Sequence, residues 1–125
     1  MTKTRRQSNA QKLLREYRPA LWRKSTLETV PGVKHNALSI CVAQICLTQE
    51  LVETLKADKL LGEKMYRIIR AAYMTDKQPH DVEEILADIA KKYGYIPRRT
   101  YFRLKKRAVE MMDSRLEAME RPDRE

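Results

Sequence analysis

The amino-acid sequence predicts an all-α fold: a C-terminal helix-turn-helix, preceded by a long helix and a short N-terminal helical segment. Three observations carry that expectation. Apolar residues recur on a 3.6-residue period along almost every segment of the 125-residue chain. Only three glycines interrupt it, and the β-branched and aromatic runs are short. Toward the C-terminus, two periodic segments flank the interval Gly94-Tyr95-Ile96, which is too short for anything but a sharp turn.

Residues 1–9 form a basic arm containing the run Lys3-Thr4-Arg5-Arg6. Such an arm is either an untethered terminus or a device for reaching a DNA minor groove. Residues 10–27 make the short helical segment, with Leu13, Leu14, Tyr17, Leu21 and Trp22 as its apolar residues. Asn36 is placed to cap a long helix over residues 37–60, with Gly62 as its terminator. That helix is apolar on two sides, through Leu38, Val42, Ile45, Val52 and Leu55 on one and Ile40, Leu47 and Leu51 on the other. It therefore requires cover from two directions. Either residues 10–27 fold back over it or a second subunit does, and the second option predicts a homodimer. Residues 63–74 form a helix with Met65, Ile68, Ile69 and Ala72 on one face, the third helix of the DNA-binding unit, and residues 75–80 connect it onward. The chain thus divides into an arm (1–9), a helical region suited to dimerisation (10–62), a helix-turn-helix domain (63–120) and a tail (121–125).

The helix-turn-helix begins with Val82, Ile85, Leu86, Ile89, Ala90 and Tyr93 in one unbroken apolar stripe. Asp81 caps its start and Glu84 completes a capping box. Gly94 ends it by adopting a backbone conformation that costs other residues a Cβ clash, and Pro97 suits the first turn of the next helix. Asp81, Glu83, Glu84 and Asp88 complement the positive end of the first helix dipole.

The second helix carries the chemistry. Between Pro97 and Arg107 stand Arg98, Arg99, Arg103, Lys105, Lys106 and Arg107, with no acid among them. Tyr101, Leu104, Ala108 and Met111 step by 3, 4 and 3 and are expected to face inward. Arg98, Arg99, Phe102, Arg103 and Lys106 then face outward. Arg98, Arg99 and Arg103 lie where a recognition helix meets base edges, and arginine's planar fork suits guanine O6 and N7. Phe102 either packs on a thymine methyl or completes the core. Lys105, Lys106 and Arg107, together with Lys91 and Lys92 at the end of the preceding helix, are expected on phosphates, where charge matters more than direction.

Composition points the same way. Twenty-six Lys and Arg against seventeen Asp and Glu give a net charge of +9, which implies a polyanionic partner. Nucleic acid is favoured over membrane, because no basic amphipathic helix with aromatic anchors appears and no stretch reaches the roughly eighteen apolar residues of a span. No apolar segment follows the basic residues 1–9, so no export signal is expected and the chain is assigned to the cytoplasm. Cys41 and Cys46 point in different directions from one helix, so neither a disulfide nor a zinc site is expected, and both are read as buried thiols. His35 and His80 are expected at the surface. With no nucleophile and base, phosphate-cradling loop or carboxylate cluster, neither catalysis nor a cofactor or metal is expected.

One resemblance rests on these residues. Ile89-Ala90, Gly94, and Arg99 through Ala108 with Met111 resemble the C-terminal domain of the ArpU/RinA-type family, phage and prophage regulators of late transcription. That domain is in turn similar to region 4 of bacterial sigma factors. The match is best over residues 63–112, about two-fifths of the chain. It departs from the family where Tyr95 is inserted and Pro97 stands in place of a capping serine, at the first contact of the recognition helix. The resemblance implies a late-gene activator that binds promoter DNA in the bacterial host cytoplasm and touches host RNA polymerase. The alternative is a DNA-packaging protein of the small-terminase kind, which also combines a helix-turn-helix with long helices but usually in the opposite order. A third reading, an RNA-binding or protein-only interaction module, calls for an aromatic stacking platform, for which only Tyr95, Tyr101 and Phe102 qualify.

Overall fold

The hydroxyl of Ser8 accepts a hydrogen bond from the Gln11 N–H at 3.0 Å and so opens the first helix, α1 (Asn9–Arg15). The computed structural model describes residues 8–32 and 35–120. Lys3, Arg5 and Arg6 of the arm and the tail 121–125 lie outside the described residues. Five more α-helices follow: α2 (Tyr17–Thr29), α3 (His35–Glu53), α4 (Gly62–Tyr73), α5 (Val82–Tyr93) and α6 (Arg98–Glu120). Among the described residues there is no β-strand, and the all-α expectation holds.

The segment predicted over 10–27 is two helices. Proline at position 19 has no N–H to give the Arg15 carbonyl and its ring crowds that oxygen, so the chain breaks at Glu16 and restarts. α2 then folds back along α3, where the Cys41 thiol donates to the Ala20 carbonyl at 3.2 Å and the Gln49 amide donates to the Tyr17 hydroxyl at 2.9 Å. Ala10, Leu14, Tyr17 and Ala20 are the residues this segment buries. Trp22, expected beside them, is 71% exposed, and Leu21 is also exposed.

The long helix also ends earlier than predicted. α3 stops at Glu53 and tightens into a 3₁₀ turn over Thr54–Ala57. The Thr54 hydroxyl donates to the Leu51 carbonyl at 2.6 Å, and the Asp58 carboxylate accepts from the N–H groups of Leu60 and Leu61 at 3.0 and 2.9 Å. These side-chain bonds offer the backbone an alternative to further helix. Asn36, expected as the cap, lies within α3. Gly62 is not a terminator but the first residue of α4. Its role is steric: a Cβ there would stand 2.6 Å from the Leu55 carbonyl oxygen, so only glycine lets the two segments meet.

α4 occupies the centre. Met65, Ile68 and Ile69 are fully buried, and Ala71 and Tyr73 join them, while Ala72 is partly buried. One apolar cluster runs from Ala10 through α3, α4 and α5 to Leu116 of α6, so α4 meets α5 on one side and α6 on the other. α1 seals the far side of α6, where the Asp113 carboxylate accepts from the Ser8 hydroxyl at 2.6 Å and from the Ala10 N–H at 2.8 Å. Cys41 is buried as expected, but Cys46 is exposed, because α3 turns that position away from α2.

Candidate nucleic-acid interface

α5 is fixed by its ends and its apolar stripe. The Asp81 carboxylate accepts from the Glu84 N–H at 3.0 Å, while the Glu84 carboxylate reaches past residue 81 and accepts from the His80 N–H at 2.6 Å. This is a capping box lengthened by one residue. Ile85, Leu86 and Ile89 are buried, Val82 and Ala90 partly so, and Tyr93 is 37% exposed. Gly94 has φ 87° and ψ 177°, a region reached in practice only by glycine. The chain crosses to α6 in residues 94–97. Ile96 is buried, which pins the middle of the crossing, and the Pro97 carbonyl accepts the Tyr101 N–H at 2.9 Å as the first bond of α6.

The inward face of α6 is Tyr101, Leu104, Ala108, Val109, Met112 and Leu116. Met112 takes the buried position expected of Met111, which is only half-buried. Over the six turns of this helix the 3.6-residue period carries the buried line one position onward from a 3–4–3 count. Burial raises the Tyr101 phenol to a pKa of about 12, with a further contribution from Tyr73 nearby. Lys105 lies half-buried above this pair, its Nζ 5.2 Å from the Tyr73 ring centre and 5.9 Å from that of Tyr101. Its charge is therefore held at the edge of the core by the ring faces.

On the opposite face Arg99, Phe102, Arg103 and Lys106 are all exposed. Phe102 is 43% exposed and rests edge-on against Tyr101, ring centres 5.0 Å apart. It neither joins the core nor stands free of it. Arg98 is exposed at the first turn, where its guanidinium donates to the Glu83 carboxylate of α5 and stacks 5.7 Å from the Phe102 ring. Arg107 is turned to the flank, donating to the Asp58 carboxylate at 3.2 Å. The Asp58 carboxyl is held below the usual carboxylate range, first by the Leu61 N–H and then by Arg107. Lys91 and Lys92 are exposed in the last turn of α5, and Lys91 lines a groove with Asp76, Glu84 and Asp88.

Of the nine positions singled out in the sequence, the fold groups Arg99, Phe102, Arg103 and Lys106 on one exposed strip, with Arg98 at its end. Lys105 is held at the Tyr73 and Tyr101 rings and Arg107 at Asp58, while Lys91 and Lys92 are exposed in the last turn of α5. Acidic Glu110 is exposed on the same side of α6 one turn beyond Lys106, so the basic strip is confined to the first turns of the helix. Sequence reasoning misses Glu83 and Asp58 as partners of α6, and Asp113 as the α6 residue that holds the start of α1. Their separations of 15, 49 and 105 residues from the groups they bind leave no local pattern to find. Among the described residues no group of three His, Cys, Asp or Glu side chains could hold a metal ion. Comparison of the chain with models of protein families, with curated proteins and with solved structures found no match.

Proposed function

We propose that this chain binds double-stranded DNA in a sequence-dependent way and regulates transcription, with α5 and α6 acting as a helix-turn-helix and α6 as its recognition helix. The observation that carries the reading is the exposed strip Arg99, Phe102, Arg103 and Lys106 at the start of a helix whose other face is locked into the core. A helix entering a major groove needs a rigid back and directional donors at its N-terminal turns, and arginine supplies such donors in bidentate form. In this reading Arg99 and Arg103 meet base edges, Phe102 meets a thymine methyl, and Lys106 meets phosphate. Arg98 joins them after leaving Glu83.

The resemblance of residues 89–111 to the ArpU/RinA-type regulators extends the proposal to activation of phage or prophage late genes, in the host cytoplasm and together with host RNA polymerase. No catalytic step, cofactor or metal enters this proposal. The test is selection of bound duplexes from a random DNA pool, followed by mapping of bound sites on host and prophage DNA. A single enriched motif lying upstream of late genes is the expected result. Equal recovery of all sequences would overturn the base-reading assignment.

A further inference from the structure

α1 and α2 share one outward side. The Glu16 N–H donates to the Lys12 carbonyl at 3.0 Å and the Ala20 N–H to the Glu16 carbonyl at 2.9 Å, so the helical rotation carries on through the break between them. On the 3.6-residue period Lys12, Arg15, Pro19, Trp22, Arg23 and Thr26 fall within an arc of roughly 100°. Ala10, Leu14, Tyr17 and Ala20, which this segment buries, lie on the opposite side. Every residue of the arc is exposed and none is acidic.

Nearby acids do not cancel this strip. Glu16 at its edge accepts from the Gln44 amide of α3 at 3.0 Å, and Glu28 is paired with Lys24 at 2.9 Å. Arg18 is turned away, donating to the carbonyls of Ala72 and Thr75 at the end of α4. Lys12, Arg15 and Arg23 form no ion pair among the described residues. Trp22 is the only tryptophan of the chain and is 71% exposed. Among the described residues no other ring and no cation covers its indole. The strip also starts beside α6, since Gln11, next to Lys12, lines a groove of about 310 Å³ with Phe102, Lys106, Glu110 and Asp113.

We propose that this strip of α1 and α2 is a site for single-stranded DNA, with an unpaired base stacked on Trp22 and the flanking phosphates on Lys12, Arg15 and Arg23. Charge selects a polyanion, in keeping with the +9 of the whole chain. The arrangement selects which one. A helix that lies on a membrane separates an apolar face from a basic one, whereas here the indole and the cations interleave along one line. Interleaving suits a polymer in which bases alternate with phosphates. A base offers its face to an indole only where the strand is unpaired, because the stack of a duplex covers it. The choice of DNA over RNA rests on the proposed duplex binding by α6, which brings an opened strand of the same molecule to the strip at high effective concentration.

The test is titration of the full chain with an oligothymidylate of about fifteen nucleotides, which cannot pair with itself and spans a site of this kind. The single indole reports stacking, and anisotropy of the labelled strand reports affinity. The expected result is quenched emission in the wild type. Affinity falls roughly tenfold in Trp22→Ala, as for the loss of one stacked base, and less in Trp22→Phe, which keeps a ring. Arg15→Gln and Arg23→Gln each reduce the slope of log K against log salt by about 0.7, the value for one phosphate of a single strand. Urea midpoints of all four variants stay near that of the wild type, because the positions are exposed. Unquenched emission, an affinity untouched by Trp22→Ala, tighter binding of oligouridylate, recovery of the emission on adding an equimolar duplex, or a response to phosphatidylserine vesicles in place of the strand would each overturn the assignment. The duplex reading of α6 stands or falls separately, on the selected duplex, whose affinity Trp22→Ala leaves unchanged.

Discussion

Arg98, the first residue of α6, is ion-paired with Glu83 in the first turn of α5. The pair ties the two helices across their connection, and it also occupies a guanidinium that stands at the leading edge of the proposed DNA surface. Both side chains are more than half exposed, so the pair contributes little to stability, about 0–1 kcal/mol as exposed pairs do. Its larger effect falls on binding, because DNA must draw Arg98 away from the carboxylate. Glu83→Gln is expected to tighten DNA binding several-fold at moderate salt and to shift the urea midpoint little. If Arg98 then reaches a phosphate, the slope of log K against log salt steepens by about one. Fluorescence anisotropy over a salt series reads both quantities, and an unchanged affinity would show that Arg98 stays clear of the nucleic acid.

Arg99, Arg103 and Lys106 share one exposed strip but are assigned different tasks. Arg99→Ala or Arg103→Ala is expected to cost about 1–3 kcal/mol on the selected site and to relax preference at one base position. Lys106→Ala should weaken selected and random duplexes alike, reducing the salt slope by about one. Competition assays on both duplexes separate the two behaviours. Equal losses on both for all three substitutions would leave α6 as a phosphate-binding helix only.

The helices of the C-terminal half were legible because their ends are marked by residues whose chemistry is local. Asp81, Gly94 and Pro97 each act within a turn of where they stand, and α5 starts and stops beside them. The exposed strip of α6 was legible for the same reason, since an amphipathic period needs no knowledge of the partner. What was not legible depends on distant groups. Trp22 stands among the apolar residues of its segment, yet Tyr17 and Ala20 are the ones that pack on α3, and the indole is left outside. Gly62 reads in the sequence as a helix end, but its function is to admit the Leu55 carbonyl, a contact set by the turn between α3 and α4. Charge alone makes Arg107 a phosphate contact, while its guanidinium faces Asp58.

The two glycines at 62 and 94 are expected to fail by different routes when a methyl is added. At Gly94 there is nothing within 4 Å of a built Cβ, so Gly94→Ala is opposed only by its backbone angles, at a cost of about 1–3 kcal/mol. At Gly62 the new methyl would meet backbone at 2.6 Å, and the 3₁₀ turn must move. Overpacking of that kind costs about 1–3 kcal/mol or more. Urea denaturation measures both losses. Hydrogen exchange tells them apart, with faster exchange confined to the α5–α6 junction for Gly94→Ala and spread over the α3–α4 connection for Gly62→Ala.

Asp58 gives the chain a pH-dependent joint. Its carboxylate accepts the N–H groups of Leu60 and Leu61 ahead of α4 and the guanidinium of Arg107 from α6, and these bonds hold its pKa below the ordinary value. A carboxyl more acidic in the folded state than in the unfolded one favours folding wherever it is ionised. That contribution is present in full above the unfolded-state pKa and is lost as pH falls through the lowered folded-state value. Asp58→Asn removes the titration while keeping most of the shape. The wild type is therefore expected to lose stability toward acid more steeply than the variant over the range just below the ordinary Asp pKa, with the two curves running parallel near neutrality. Urea midpoints measured from neutral to strongly acidic pH test this, and identical acid limbs would show that the junction between α3, α4 and α6 does not depend on the charge at residue 58.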